Sequence, residues 1–249
     1  MIGIYGLIIL PLWSIMWEKI RIGKENAMQI IKPYVYLFES ELDQKKLLNI
    51  ERAARLCYKS EDKMSDTHSD TFLSSMIKHG HESVIEHEKV TVYFVVDRGV
   101  THEIVRHRIA SYSQESTRYC NYHLDKFGNE ITVIDPYFYE KGTPRYDIWK
   151  EACENAEANY FKLIALGSPQ EARSVLPNSL KTEIAVTYNF REWRKFFALR
   201  GAKAAHPQIQ QVTIPLLKLF QERFGPLFAD ITYNTDFPEE HYGEIKILI

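Results

Sequence analysis

The chain has 249 residues, of which 45% are hydrophobic, and a formal net charge of −2. A chain of this length can bury a substantial core within one large domain. Its nearly balanced charge gives no support, over the chain as a whole, for a nucleic-acid or membrane partner. Its three cysteines are scattered and odd in number. They fit neither a disulfide framework nor a CxxC metal pair, and so favour a reducing, cytoplasmic setting.

The first 27 residues differ from the rest of the chain. Residues 2–17 are mostly apolar, but Pro11 interrupts them, no basic segment precedes them and no clear small-residue cleavage site follows. The segment is too short to span a bilayer comfortably and is unlike a standard signal peptide. We therefore expect residues 1–27 to be an N-terminal extension and residues 28–249 to form one domain. A membrane anchor is the less favoured alternative.

Helical and strand patterns alternate irregularly from residue 29 onwards. The first half predicts a strand over 29–38, a helix from the capping residues Ser40 and Asp43 to Cys57, a helix through 72–77 ended by Gly80, a strand over 89–96, and a helix to about Arg108 followed by a loop. The second half predicts a strand over 131–134, a helix over 146–166, a short helix from the Ser168–Glu171 capping box to near Pro177, a strand over 181–189, and helices over 191–200 and 207–224. Without a βαβ rhythm or an internal repeat, this order favours an α+β domain with helices on a mostly antiparallel or mixed sheet.

Residues 106–119 form the densest polar stretch, with three arginines, one histidine, three serines and a threonine. Arginine forks match the geometry of phosphate and carboxylate groups, and hydroxyl groups supply neutral donors beside them. Such a stretch indicates a polyanionic ligand. A solvated basic loop is the ordinary alternative. An apolar-periodic segment before the stretch and aromatic residues after it favour partial enclosure.

The histidines suggest a second hypothesis, a histidine-metal hydrolase. The candidate ligands are His79, His81, Glu82, Glu86, His87 and His102. His102 and His107 resemble a zinc-protease pair, but that motif needs histidines four residues apart, about 40° around a helix. A spacing of five places them about 140° apart. No set of three ligands with hydrogen-bonded partners emerges, so we expect no metal.

Nucleophilic catalysis and glycine-based phosphate binding are both poorly supported. No cysteine lies beside a histidine, and Ser116 lacks a GxSxG turn. Neither GxGxxG nor GxxxxGK[ST] occurs, so side chains must hold any nucleotide phosphate, and the arginines are the candidates. A nucleic-acid-binding module remains a third hypothesis, because aromatic residues interleave with arginine and could stack bases. These residues are Tyr112, Tyr119, Tyr122 and Phe127.

Arg106-His107-Arg108, separated by seven residues from Ser116, resembles the signature motif of the flavin-dependent thymidylate synthases. The resemblance continues in the histidine segment 79–87, in Arg173 within 172–177, in 189–191 and in Leu199-Arg200. It covers roughly residues 29–225 and leaves out the N-terminal extension. It implies that residues 28–249 form a flavin-dependent thymidylate synthase-like catalytic domain.

The resemblance implies the reductive methylation of dUMP to dTMP. Methylenetetrahydrofolate would supply the one-carbon unit, NADPH would be the reductant and FAD would carry the hydride. It further implies a homotetramer of α+β subunits with active sites shared between chains, and no cysteine nucleophile. Its partners would be small molecules, without nucleic acid or membrane.

The resemblance also implies the site residues. The dUMP site would comprise Glu103, Ile104, Val105, Arg106, Gln114, Glu115, Ser116, Thr117, Arg118, Arg173 and Arg200. The FAD site would comprise His81, Ser83, Arg106, His107, Arg108, Gln114, Asn189, Phe190, Arg191 and Lys195. Ser116, Arg118 and Arg173 would lie near the phosphate of dUMP. Arg200 would face the uracil ring, favour its ionised form and thus be the catalytic residue.

The chain departs from the family pattern at several positions. Gln114 stands where several members have Glu, Ser113 where Asn is common, and Glu103 where Gln occurs. Residues 201–208 resemble the family only loosely. The carboxylate of Glu103 is unfavourable beside a phosphate unless it points at a donor or at an arginine.

Overall fold

The computed structural model describes residues 28–122, 124 and 128–249. The expected N-terminal extension, residues 1–27, and the candidate base-stacking residue Phe127 lie outside the described residues. The strands are β1 (Gln29–Ile31), β2 (Tyr34–Phe38), β3 (Lys89–Asp97), β4 (Ala110–Gln114), β5 (Thr132–Ile134), β6 (Lys181–Asn189) and β7 (Glu244–Leu248). The α-helices are α1 (Lys45–Tyr58), α2 (Asp70–Lys78), α3 (Arg98–Ile104), α4 (Pro144–Ile164), α5 (Pro169–Ala172), α6 (Phe190–Arg200), α7 (Pro207–Arg223) and α8 (Gly225–Phe228).

The main sheet has five strands in the order β4-β6-β3-β2-β7. Its neighbours pair antiparallel, except for β2 and β7, which are parallel. A small second sheet pairs β1 with β5 in parallel. The expected α+β fold with a mixed, mostly antiparallel sheet is therefore confirmed.

The central pair of strands, β3 and β6, shows why this sheet forms. Thr182, Ile184, Val186 and Tyr188 alternate along β6 and are fully or almost fully buried. Residues two apart share a face of a strand, and β-branched or aromatic side chains suit such a half-buried surface. Opposite them, the register places Val92 against Val186, so the same face of both strands meets the core.

Helices α6 and α7 cover that face with aromatic side chains. Trp193, Phe197 and Phe220 are fully buried, with ring centroids 5.0–5.4 Å apart. The indole Nε1 of Trp193 donates to the Val90 carbonyl at 3.0 Å, so its polar atom is satisfied inside the core. Truncating one such aromatic to alanine typically costs about 3–5 kcal/mol. This packing fixes α6 against the sheet and therefore fixes the side chains that α6 presents.

Two expectations in the first half of the chain are wrong. The strand expected over 29–38 is broken at Pro33, which separates β1 from β2. The helix expected to reach Arg108 ends at Ile104, and residues 110–114 form an edge strand instead of a loop. A polar segment such as Ala-Ser-Tyr-Ser-Gln carries little strand signal of its own. Pairing with the edge of β6 decides its conformation.

Two predicted helix-end signals are confirmed and one is wrong. Gly80 has a φ of +74° just after α2, as a helix-ending glycine should. The Ser168–Glu171 capping box forms at the start of α5. Ser40, however, is not a helix cap: it lies in a short 3₁₀ helix, Glu39–Leu42. Asp43 accepts instead from the backbone N–H of Lys45, at 2.8 Å.

The C-terminal elements α8 and β7 were not predicted. Residues 244–248 alternate polar and apolar side chains over only five positions, too few to stand out as a strand without a partner. Among residues 28–122, 124 and 128–249, every helix is too short or too polar to cross a lipid bilayer.

Candidate functional site

The C-terminal end of α3 is held by two tyrosines from neighbouring strands. The helix begins at Asp97, whose carboxylate accepts from Val100 N at 2.7 Å. At its other end, the Tyr188 hydroxyl donates to the carbonyl of Ile104 at 3.1 Å, and the Tyr112 hydroxyl donates to the carbonyl of His107. Burial raises the pKa of both tyrosines, so both stay protonated donors. The backbone of residues 104–107 is thereby fixed against β4 and β6.

Arg200 ends α6 and points into this corner with only 9% of its surface exposed. Its Nε donates to Nε2 of His107 at 3.2 Å, and its Nη2 donates to the Glu103 carbonyl at 3.0 Å. Its Nη1 forms an ion pair with the Glu103 carboxylate. Glu103 thus points at an arginine. The expected position of Arg200 against a uracil ring stays a prediction.

His107 and Glu192 continue the network behind Arg200. They are 2% and 3% exposed, and Nδ1 of His107 lies 2.9 Å from Oε1 of Glu192. Burial lowers the pKa of His107, and the nearby Arg200 charge lowers it further, against the opposing effect of Glu192. Both ring nitrogens are therefore engaged within the protein, and the ring is neutral at pH 7. Its expected contact with FAD stays a prediction.

The network reaches the surface at both ends. Arg106 Nη1 lies 3.5 Å from the Glu103 carboxylate, and Lys195 Nζ lies 3.7 Å from that of Glu192. Arg106, Arg108 and Lys195 are exposed. A chain of contacts through Glu103, Arg200, the neutral His107 and Glu192 thus connects two exposed cationic positions, Arg106 and Lys195, near one end of β4.

Several residues expected to bind FAD line a cleft of about 650 Å³ between α6 and the 3₁₀ helix Glu82–His87. They are Asn189, Arg191 and Lys195, joined by Ile109 and Ala198. Asn189 starts α6 by accepting from Glu192 N at 2.9 Å. Arg191 donates to Glu86 at 2.5 Å.

Arg194 is a charged lining residue that sequence reasoning missed. Its Nη1 and Nη2 each lie 2.7 Å from a carboxylate oxygen of Asp230, and its Nε lies 3.1 Å from Glu82. The helical spacing was the available signal, because residues 191 and 194 stand one turn apart on the same face. Two arginines thus pair with three of the cleft carboxylates, and a fourth lining carboxylate, Glu192, pairs with His107 and Lys195.

His81 and Ser83 lie at the edge of this region. Both are exposed, at the start of the Glu82–His87 3₁₀ helix. Nδ1 of His81 is hydrogen-bonded to the Tyr58 hydroxyl, and the two rings stack with centroids 6.0 Å apart. His81 faces a smaller pocket of about 350 Å³ shared with Phe72 and Met76.

The opposite end of β4 carries the expected phosphate-binding residues. Gln114 donates from Nε2 to Thr101 at 3.1 Å and to Thr182 at 3.3 Å, which anchors the end of the strand. Ser116 Oγ accepts from the backbone N–H of Arg118 at 3.3 Å. Arg118 is exposed, with its guanidinium 5.5 Å from the Tyr119 ring.

Two further residues expected at this end differ in exposure. Thr117 is buried, with 6% of its surface exposed. Arg173 is exposed in the short 3₁₀ helix Arg173–Val175. In this conformation the side chain of Arg173 can therefore reach a ligand, and that of Thr117 cannot.

Glu115 has internal partners that the sequence did not reveal. Its carboxylate accepts from Lys181 Nζ at 3.1 Å and from the Tyr122 hydroxyl at 3.2 Å. Burial alone would lower the pKa of Lys181, but Glu115 and Glu183 together raise it above its ordinary value. Glu115 therefore fixes the segment that carries Ser116 and Arg118.

Three other expected residues are placed as follows. The side chains of Ile104 and Phe190 are fully buried in the core, and Phe190 packs on Phe224 with ring centroids 4.9 Å apart. Their side chains therefore cannot reach a ligand. Val105 is 40% exposed.

The sequence also raised two other kinds of site, a metal centre and a cysteine nucleophile. Among residues 28–122, 124 and 128–249, no group of three or more His, Cys, Asp or Glu side chains is placed to hold a metal ion. Burial raises the pKa of Cys153 to about 11, so this thiol is protonated at pH 7.

The chain is similar to known proteins over most of its length. The family described as thymidylate synthase complementing protein matches residues 41–224. A flavin-dependent thymidylate synthase of Geobacter sulfurreducens is 36% identical over 186 residues, which cover 72% of this chain and 78% of that protein. One from Mycobacterium tuberculosis is 33% identical over 205 residues, covering 75% and 80% of the two chains.

A solved structure shares the fold. It is the crystal structure of a UMP/dUMP methylase, PolB, from Streptomyces cacaoi bound with 5-Br dUMP, with a TM-score of 0.63 and 23% identity. The match covers 82% of this chain and 100% of the other. The family match spans most of the chain, and the relatives align over more than two thirds of it. This chain therefore belongs to the flavin-dependent thymidylate synthase family.

Proposed function

We propose that this chain methylates dUMP to dTMP, with methylenetetrahydrofolate as one-carbon donor, FAD as hydride carrier and NADPH as reductant. The observation that carries the proposal is the placement of Arg200. A buried, permanently charged guanidinium is fixed by three hydrogen bonds at one end of β4, and exposed arginines flank the strand in sequence, Arg106 and Arg108 before it and Arg118 after it. The names of the relatives support the same activity.

The cleft and its surroundings fit a flavin with a pyrophosphate. Glu82, Glu86 and Asp230 each pair with one of two arginines, Arg191 and Arg194, which offset part of their negative charge. Arg108 and Lys195 are exposed at the same end of the strand and would hold the phosphates, which arginine and lysine both bind well. Asn189 and Arg191 would hold the remaining polar groups. When bound, the flavin would supply the hydride transfer that these side chains cannot perform.

Arg118, Arg173 and the Ser116 hydroxyl would hold the phosphate of dUMP. Each is a donor at or near the surface, and Ser116 and Arg118 lie in a segment fixed by Glu115. Arginine forks favour phosphate through paired N–H donors.

Arg200 would act on the ring through its charge. Uracil must be electron-rich at C5 before it can attack a one-carbon electrophile, and loss of the N3 proton achieves this. A fixed positive charge in a site with little water favours the resulting anion, because it lowers the pKa of N3–H. No thiol needs to add to the ring on this route, which agrees with the raised pKa of Cys153.

The test is optical and chemical. Purified protein should be yellow, and under anaerobic conditions NADPH should bleach the flavin absorbance. Adding dUMP and methylenetetrahydrofolate should then yield dTMP. A colourless protein that binds no added FAD, or a reduced flavoprotein that forms no dTMP, would contradict the proposal.

We also propose a homotetramer with sites shared between chains. Exposed apolar side chains flank the site residues: Val105, Ile109 and Leu199 are 40%, 62% and 52% exposed. Such surfaces often mark contacts between chains. If Arg106 and Arg173 serve one site from different chains, the inactive variants Arg106→Ala and Arg173→Ala should partly restore activity when refolded together. A fully active monomer in light scattering at micromolar concentration would rule this arrangement out.

A further inference from the structure

The hydrogen bonds around His107 permit only one position for its proton. Arg200 keeps its proton under all ordinary conditions, so its Nε–H can only donate. It donates to Nε2 of His107 at 3.2 Å, and Nε2 must therefore carry a lone pair. In a neutral imidazole the hydrogen then sits on Nδ1, which donates to Oε1 of Glu192 at 2.9 Å. Three side chains thus share one consistent set of donors and acceptors.

The surroundings keep the ring in this orientation. The His107 ring packs edge-on against Phe196, with centroids 5.1 Å apart, and lies 6.0 Å from the Tyr188 ring. Both aromatic side chains are fully buried. In the other tautomer an N–H on Nε2 would face the N–H of Arg200, and a lone pair on Nδ1 would face the Glu192 carboxylate. Both contacts would be repulsive where no water can relieve them.

Glu103 completes the clamp from the other side. Its carboxylate and its carbonyl accept from Nη1 and Nη2 of Arg200. Together with the bond from Nε to His107, these hydrogen bonds fix the orientation of the guanidinium plane. A guanidinium has more N–H donors than these contacts use, so donors remain for a ligand. The direction in which these remaining N–H groups of Arg200 point depends on the position of His107 Nε2.

We propose that Glu192 is a positioning residue: it holds His107 with the proton on Nδ1, and His107 Nε2 in turn aims the Arg200 guanidinium. Its consequence for turnover rests on the proposed function, but the proton position does not. Neither Glu192 nor the His107 ring touches a substrate in this account. Both act through Arg200.

The first test is the proton position itself, measured without substrate. In ¹⁵N-histidine-labelled protein at pH 7.5, the two ring nitrogens of His107 should show a protonated Nδ1 and an unprotonated Nε2. The signal is assigned by its loss in His107→Gln. Glu192→Ala removes the acceptor of Nδ1–H, so the Nδ1–H signal should shift or broaden while Nε2 stays unprotonated. A protonated Nε2 in the native chain, or an Nδ1–H signal that Glu192→Ala leaves unchanged, would overturn the proposal.

The second test is a double-mutant cycle on turnover. Glu192→Gln should lower kcat at saturating dUMP on the order of tenfold, because the acceptor that aims Arg200 is no longer fixed. A glutamine at position 107 offers a carbonyl oxygen near the place of Nε2, without a tautomer to fix. In the His107→Gln background, Glu192→Gln should therefore change kcat less than about twofold. Equal effects in both backgrounds would overturn the proposal.

Glu157→Gln is the matched control. Glu157 is also buried, 9% exposed, and accepts from Ile131 N at 2.7 Å, in the smaller core around β5. Its change should leave both the His107 signals and kcat as they are. If the native chain forms no dTMP at all, the proposed function fails, while the ¹⁵N spectra still decide the role of Glu192.

Discussion

The two ends of β4 present positive charge in opposite ways. At the end near α6, Arg200 is 9% exposed and holds three hydrogen bonds with Glu103 and His107. After the far end, Arg118 is exposed, with its guanidinium 5.5 Å from the Tyr119 ring, and Arg173 is exposed as well. Under the proposed function, the first end is ordered before a ligand arrives and the exposed arginines are ordered by the ligand.

This difference separates two energetic tasks. A buried charge in a fixed direction needs no reorganisation when charge develops on a ligand, so it acts fully on a reacting ring. An exposed arginine is screened by water and salt, and ordering its side chain costs about 0.5–1.5 kcal/mol on binding. We therefore expect substitutions at the buried end to affect turnover and those at the exposed end to affect affinity.

Arg200→Lys should give the largest effect and tests the buried end. A lysine cannot reach Glu103 and His107 together, and burial favours its neutral form. We expect kcat at saturating dUMP to fall on the order of a hundredfold or more, while FAD binding and the melting temperature change little. Turnover near the native value would remove Arg200 from the mechanism and erase the distinction between the two ends.

Arg118→Lys tests the exposed end. Losing the fork on a phosphate should raise the KM for dUMP about tenfold, equivalent to about 1.4 kcal/mol, with kcat nearly unchanged. Arg145→Lys is the matched control, because Arg145 is also exposed and lies over an aromatic ring, that of Tyr139. A larger loss in kcat than in affinity for Arg118→Lys would contradict the division of tasks.

The pH dependence of stability sharpens the description of the buried end. Burial first, and then the charges of Arg200 and Lys195, lower the pKa of His107 below its ordinary 6.5, while Glu192 opposes them. The unfolded chain therefore takes up this proton at a higher pH than the folded chain. Stability from this group is complete above about pH 6.5 and is lost as the pH falls below it.

That loss is at most about 1.4 kcal/mol per pH unit for one group. Chemical denaturation at a series of pH values should show it as a steeper decline in native protein than in His107→Gln. Parallel curves for the two proteins below pH 6.5 would mean that His107 is not buried in its neutral form.

The smallest effect is expected from the thiols, which belong to neither end. Replacing Cys57, Cys120 and Cys153 together by alanine should leave turnover within about twofold, because no thiolate is needed. Burial already holds the pKa of Cys153 at about 11. A variant that folds and binds FAD but forms no dTMP would show that the route uses a cysteine after all.

Sequence patterns predicted the parts of this fold whose signals are local. The alternation of buried side chains along β6 and the glycine that ends α2 can each be predicted from a few consecutive residues. The strand β4 and the position of Arg200 cannot be predicted in this way. Ser111 and Ser113 say little about a strand until β6 is beside them, and β6 is about seventy residues away.

The site shows the same limit. The sequence predicts which arginines belong to the site, because their charge and spacing can be read from it directly. Their partners were not found, because Glu192 and Lys181 lie 85 and 66 residues from His107 and Glu115. Which cation is buried and which is exposed depends on these distant pairs.

The parallel pairing of β7 with β2 has a consequence for how the chain folds. It joins Tyr34 with Glu244, residues 210 positions apart, so this part of the sheet is among the last that can form. Contacts of such high sequence separation slow folding. Until β7 arrives, β2 presents an unpaired edge that another chain could extend. Removing the last strand should therefore expose this protein to aggregation long before it disturbs Arg200, which lies at the other side of the sheet.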